Sequence, residues 1–308
     1  MSTSQVYTLT NPRNGNLAFK IYPFLDNIPF DHLQRLNYYS VILLTAGRGR
    51  LNADFAEHEV LGGSLLFFAP YQPFMLQTSE DIRGVVLHFH PDFFCIHQHQ
   101  KEVACNGVLF NNIYETPVLN VPPGDMNAFL ELIEEMKPEV LQAGLAQNEL
   151  LVSYLKIFLI RASRLKVEQQ PPPERRPADQ RKTEIAQHLK DAIETHYRTR
   201  HSASDYADLL HVSAKVLARV AKSCFNKTIT SLISERIIIE AKRELYMTSK
   251  TVKEIAYLLG FEDEFYFSRF FKNNADVSPQ LFRETVGSGR GEPMEGSILD
   301  QMDAPGVN

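Results

Sequence analysis

The 308-residue sequence predicts an α+β chain of two domains: an N-terminal antiparallel β-sandwich or small barrel followed by two helices, and a C-terminal all-α domain of two helix-turn-helix units joined by a long helix. Three observations predict this. Residues 38–90 hold short β-branched and aromatic runs between turn signals. Residues 183–286 read as helix throughout and contain a repeated unit. Between these regions lies "EQQPPPERRPADQ", with four prolines among charged and polar neighbours, a composition that favours an extended, mobile segment.

In the N-terminal part, "YYSVILLTAG", "GSLLFFAP" and "IRGVVLHFH" are the strand candidates, broken at Gly47–Gly49, Gly62–Gly63 and Pro70. Strands so close together, with no helical pattern between them, pair antiparallel. Apolar residues then recur at helical spacing, Phe129, Leu132, Ile133 and Met136 in one segment and Leu151, Tyr154, Leu155, Phe158 and Leu159 in the next. These two helices can cover the sheet or pair with a second copy of the chain. The domains are expected at 1–165 and 183–286, with a linker at 166–182 and a Gly-rich, acidic, disordered tail at 287–308.

Charge is divided unevenly. The whole chain carries a formal net charge of −5. Residues 181–286 alone are positive, with 17 Lys and Arg against 14 Asp and Glu; that excess fits contact with phosphates at selected positions. Cys95, Cys105 and Cys224 are odd in number and lack close Cys-x-x-Cys spacing. That argues against a disulfide framework or zinc ribbon and for a reducing, cytoplasmic setting. The first twenty residues lack the pattern of a signal peptide, and no apolar run reaches membrane-spanning length, so no membrane partner is expected.

The repeat emerges when "YADLLHVSAKVLARVAK" is set beside "IAYLLGFEDEFYFSRFFK". Ala207 matches Ala256 and Leu209–Leu210 match Leu258–Leu259 at an offset of 49; past the turn the offset is 50. In the second unit Thr251 and Glu254 form a capping box, Gly260 ends the first helix, Asp263 caps the second, and Ser278–Pro279 opens the last. Ser213 takes the role of Asp263 in the first unit. Thr183 is read as opening the first helix of the domain, and Thr230 to Tyr246 as the spacer helix. Wound at 3.6 residues per turn, the first unit buries Leu217, Val220, Ala221 and Cys224 and exposes Lys215, Ala218, Arg219 and Lys222. The second buries Tyr266, Phe267, Phe270 and Phe271 and exposes Glu264, Phe265, Ser268, Arg269 and Lys272. A single such stripe is usually a solvated face. Its duplication in the same turn context points to two successive major-groove contacts about one DNA turn (~34 Å) apart.

The segment "TVKEIAYLLGFEDEFYFSRFFKNNADVSPQLFR" resembles the signature of the AraC/XylS family of transcription regulators, and the N-terminal pattern is similar to the cupin-like effector and dimerisation domain of that family. The resemblance implies a regulator of promoter DNA, acting as an activator and answering to a small-molecule effector, with a homodimeric assembly and RNA polymerase as a further partner. Carried over by position, base contacts fall on Lys215, Ala218 and Arg219, then on Glu264, Phe265, Ser268 and Arg269, with Lys272 near phosphate. Effector-binding residues are left unassigned. Ala221 stands where the family usually has Phe, with Phe225 beside it to fill the space. Asn226 and Asp276 replace glycines and tolerate the left-handed conformation.

The alternative is a metal-dependent cupin enzyme with an accessory helical domain, suggested by His88, His90, His97 and His99 in "HFHPDFFCIHQH". Against it, His90 precedes Pro91 at a strand end, His97 and His99 fall in a polar, exposed loop, and the further glutamate and histidine of a metal-binding cupin are missing at their usual spacing. No nucleophile elbow or phosphate-binding glycine loop appears, so neither catalytic residues nor a cofactor is expected.

Overall fold

The computed structural model describes residues 5–286 except 13–14, 27, 54–55, 79–80, 104, 106, 143 and 170–176. Strands β1 (Tyr7–Thr10), β2 (Leu17–Phe24), β3 (Tyr39–Ala46), β4 (Arg48–Ala53), β5 (Ala56–Leu61), β6 (Ser64–Phe68), β7 (Phe74–Gln77), β8 (Arg83–Phe89) and β9 (Val118–Asn120) build two antiparallel sheets. One runs β1-β2-β8-β3-β6-β9 and the other β5-β4-β7. The sequence pattern had located the strands between 38 and 90; β1, β2 and β9, which extend the larger sheet at both ends, lie outside that window.

Alternation along the strands separates two cores. On β3, Val41 and Leu43 face one cluster while Ile42 and Leu44 face the other. The same division recurs on β6, with Leu65 and Phe67 against Leu66 and Phe68. Both faces of β3 are therefore covered, so it reads as an unbroken apolar run instead of an alternating one. The space between the two sheets is filled by side chains, among them Phe68 stacked on Phe74 at 3.8 Å and Phe24 edge-on to Phe30 at 5.3 Å.

The outer face of the large sheet is covered by α2 (Pro123–Leu141) and α3 (Gln147–Glu168), which follow a short α1 (Gln100–Val103). Phe129, Ile133 and Met136 of α2 and Leu151, Leu155 and Phe158 of α3 are buried there, on the stripes the periodicity marks.

The expected linker is bordered closely by helix. α3 continues to Glu168, and α4 spans Pro177–His196, so helix replaces extended chain at 177–182 and begins before Thr183. Pro177 is compatible with a first helical position, because the missing N–H has no intrahelical partner there. The linker's centre, 170–176, and the tail at 287–308 lie outside the described residues.

Six further helices complete the described residues: α5 (Ala203–Leu209), α6 (Ala214–Phe225), α7 (Ile229–Met247), α8 (Val252–Leu258), α9 (Glu264–Ala275) and α10 (Pro279–Val286). The repeat is exact in length: α5 and α8 have seven residues each, and α6 and α9 twelve each. α7 lies between the two units, with Leu232, Ile233, Ile237, Ala241 and Leu245 in their shared core.

Candidate nucleic-acid interface

The turn chemistry fixes how α6 and α9 leave their units. Val212 N donates to Ala207 O in the first turn and Phe261 N to Ala256 O in the second, both at 3.0 Å. The residue at the left-handed position is His211 (φ +52) in one and Gly260 (φ +80) in the other. Glycine is required only in the second, where a Cβ would collide with the Arg198 carbonyl. Ser213 accepts from Val216 N at 3.3 Å, and Asp263 from Tyr266 N at 2.7 Å, so both helices begin on a side-chain cap. Both also end on a left-handed non-glycine residue, Asn226 (φ +55) and Asp276 (φ +58).

On α6, Lys215, Ala218, Arg219 and Lys222 are all exposed. Leu217, Val220 and Ala221 are buried, but Cys224 is exposed, which corrects its expected place in the core. The last turn of α6 lines a cleft facing the N-terminal domain. Phe225 there meets Tyr114 of that domain edge-on at 5.5 Å while also packing on the helical core.

On α9, Phe265, Arg269 and Lys272 are exposed, and Glu264 and Ser268 are half-buried. Phe267 and Phe271 are fully buried and Phe270 partly so. Tyr266 is a second correction: it is 59% exposed. At about 100° per residue it sits roughly 120° from the centre of the Phe267–Phe271 stripe, beyond the arc that α7 and α8 cover. Its ring makes a tilted contact with Phe261, 5.9 Å between centroids. Together with Phe265 at 76% exposure, it gives α9 two solvent-facing rings in its first turn.

Several other cations of the helical domain are matched to carboxylates. Buried Glu240 receives Arg198 at 2.9 Å, Arg243 at 3.1 Å and Arg236 at 3.4 Å. Burial raises the Glu240 carboxyl, but the three guanidinium groups outweigh it and hold the group below its ordinary value. Glu244 takes Arg243 and Lys250, and Glu235 takes Lys227. Among the described residues, no carboxylate lies within 4.0 Å of Lys215, Arg219, Arg269 or Lys272. Lys222 reaches only the Asn226 carbonyl, at 3.1 Å, at the negative end of its own helix. The stripe therefore presents cations with their charge unspent.

The N-terminal domain holds the far ends of the recognition helices. Arg35 pairs with Asp276 just past α9. Three groups converge on Thr285 of α10: Asn37 Nδ2 donates to its carbonyl at 2.9 Å, His90 Nε2 lies 3.3 Å from the same oxygen, and Tyr71 OH lies 2.6 Å from its hydroxyl. Tyr246 OH donates to Asp92 at 3.3 Å, and Tyr114 OH to Glu194 at 2.9 Å.

The histidines of the alternative reading are thereby accounted for separately. His88 is buried between Ser40 Oγ at 3.0 Å and Tyr22 OH at 3.1 Å, and burial lowers it to about 3. His90 is lowered by burial beside Asp92. His97 is half-buried, contrary to the exposed loop expected, and burial with Arg243 nearby lowers it to about 4. His99 stacks on Phe94 at 4.8 Å. Among the described residues, no group of three His, Cys, Asp or Glu side chains could hold a metal ion. The cysteines are free, and no described helix is long and apolar enough to cross a membrane.

The C-terminal domain is thus a tandem helix-turn-helix domain, and the chain as a whole has the architecture of a two-domain regulator. Comparison with known proteins agrees: residues 206–285 match the family model described as a helix-turn-helix domain, and residues 30–155 match the AraC-like ligand binding domain, together about two thirds of the chain. The chain belongs to the AraC/XylS family.

The HTH-type transcriptional activator Btr of Bacillus subtilis is 34% identical over 93 residues, 30% of this chain and 18% of that protein. The raffinose operon transcriptional regulatory protein RafR of Pediococcus pentosaceus is 27% identical over 95 residues, 31% of this chain and 34% of that protein. The chain thus spans well under two thirds of the length of either relative. Among solved structures, ToxT from Vibrio cholerae aligns over 92% of this chain and 98% of its own, at 16% identity and a TM-score of 0.38.

Proposed function

We propose that the chain is a sequence-specific transcription regulator, an activator, that sets α6 and α9 into successive major-groove segments of promoter DNA. One observation carries this reading: the same helix-turn-helix backbone occurs twice, each copy presenting exposed cations without carboxylate partners on the same face. The proposed contacts are Lys215, Ala218, Arg219 and Lys222 on α6, and Glu264, Phe265, Ser268, Arg269 and Lys272 on α9. The arginines suit guanine edges or phosphates, and Phe265 suits a thymine methyl.

The proposed division of labour puts an effector and dimerisation domain before the linker and the DNA-binding domain after it, ending at 286, with α3 and α4 taking up both ends of the linker expected at 166–182. Homodimerisation through α2 and α3 is supported by apolar side chains left on their outer surface and joining loop, Leu141, Leu145, Leu150 and Ile157. A small-molecule effector would act by shifting the population of arrangements in which the N-terminal domain holds α9 and α10. RNA polymerase is the further partner an activator needs, and the cytoplasm its place of work. Hydroxyl-radical footprinting of full-length protein on its bound promoters tests the reading. Protection of two segments about one turn apart is expected; a single segment, or none, contradicts it.

A further inference from the structure

The first helices of the two units, α5 and α8, match residue for residue at an offset of 49. Each begins on a complete capping box, Ser202 with Asp205 and Thr251 with Glu254, so one acid of each helix is engaged with its own backbone. Each buries the same two positions, Tyr206 and Ala207 in α5, Ile255 and Ala256 in α8. Outward they diverge. α8 presents Lys253 and Tyr257, whereas α5 presents Ser204 and Asp208 at the matching positions, and all four are exposed.

The α8 pair forms one surface. Residues i and i+4 share a helix face, and the Lys253 ammonium lies 5.9 Å from the centre of the Tyr257 ring. Tyr257 is 53% exposed. Among the described residues, its hydroxyl makes no hydrogen bond and no carboxylate lies within 4.0 Å of Lys253. On α5, Ser204 Oγ lies 2.8 Å from the capping Ser202 Oγ, and among the described residues no cation lies within 4.0 Å of Asp208.

In a helix-turn-helix unit the second helix enters the major groove while the first lies across the sugar–phosphate backbone. Lys253 and Tyr257 offer a point charge and an O–H donor there, and Asp208 offers a negative charge that repels phosphate. The second helices are charged in the opposite sense. α6 carries Lys215, Arg219 and Lys222 with no acid on its stripe; α9 carries Arg269 and Lys272 beside Glu264.

We propose that the two units hold phosphate with different helices: the second through Lys253 and Tyr257 of α8, the first through α6, with Asp208 keeping α5 off the backbone. The α8 contacts fix the register of α9 in its groove and leave α9 to the bases. The inference rests on the reading of the chain as a DNA-binding regulator and adds two phosphate contacts and one repulsive position to its surface.

The test is equilibrium binding of the full chain, over a range of salt, to two duplexes: the promoter fragment most enriched with the chain in cells and a random sequence of equal length. Lys253→Gln should weaken both complexes roughly tenfold and lower the salt slope by about one, while Lys253→Arg keeps affinity and slope. Tyr257→Phe should also weaken both roughly tenfold but leave the slope unchanged, because the lost donor is neutral. Asp208→Asn should tighten both complexes several-fold, a gain that a purely structural role for this residue does not produce. Unfolding temperatures should stay at the wild-type value, since the three side chains are exposed. Wild-type affinity in Lys253→Gln and Tyr257→Phe, or no gain in Asp208→Asn, overturns the proposal and leaves the regulator reading standing. A folded wild-type chain that binds neither duplex removes the regulator reading and this inference with it.

Discussion

The two helix-turn-helix units share a backbone and differ in what they hang on it. Helix lengths, caps, the 3.0 Å bond across each turn and the left-handed exits are matched. The side chains diverge. α6 presents three cations and no acid on its exposed stripe, whereas α9 opens with Glu264, shows two rings and carries Arg269 and Lys272. Recognition geometry is thus set by turn and cap residues, and the exposed stripe is left free to vary. The resemblance implies base contacts on both helices; on the side chains presented, we propose that α6 contributes mainly phosphate affinity and α9 mainly discrimination between bases.

Breaking the turn of one unit should have the largest effect. Gly260→Ala places a Cβ against the Arg198 carbonyl at positive φ and should cost about 2 kcal/mol or more in urea unfolding. His211→Ala, at the matching turn of the first unit, should change stability far less, since His211 already accepts the conformation and its side chain is exposed. Equal costs would mean that the second turn has no special requirement for glycine.

Next in size are the stripes. Arg269→Ala should lower affinity for a bound promoter by about 1–3 kcal/mol and relax its sequence preference, read by competition between specific and random DNA. Lys215→Ala should weaken specific and random DNA alike and reduce the salt slope by about one. A Lys215→Ala protein with altered sequence preference would reverse the roles assigned to the two helices. The smallest effect belongs to His211→Gly, which relieves a left-handed side chain and should raise stability by up to about 1 kcal/mol in the same urea assay.

Much of this contrast was legible in the sequence because it is local. Caps, Gly260 and the 49-to-50 offset are short-range signals, and each appears in the structure where the pattern puts it. The exposed stripe follows from helical period alone. What escaped depends on which surfaces other elements cover. Tyr266 lies at the rim of the buried arc, and period does not say where α7 and α8 stop covering it. Cys224 falls on the buried side by angle, yet the end of α6 projects towards the N-terminal domain. His97 follows a strand in a polar stretch and gives no local sign that Arg243 and Glu240 of α7 lie near it. β1, β2 and β9 are short or separated from the main strand cluster, and only their pairing partners identify them. A cleft where the N-terminal domain meets α7 and α9 has no sequence signature, because residues from position 33 to position 274 converge on it.

On the proposed reading, unpaired cations on α6 and α9 grip DNA. The direct measurement is promoter-fragment affinity against salt for the wild-type chain and for the combined Lys215→Ala, Arg219→Ala, Arg269→Ala and Lys272→Ala variant, with thermal unfolding of both. A steep negative slope of log affinity against log salt is expected for the wild type, collapsing in the variant while its unfolding temperature is unchanged. A variant that is folded and binds with the wild-type affinity and slope would contradict the claim.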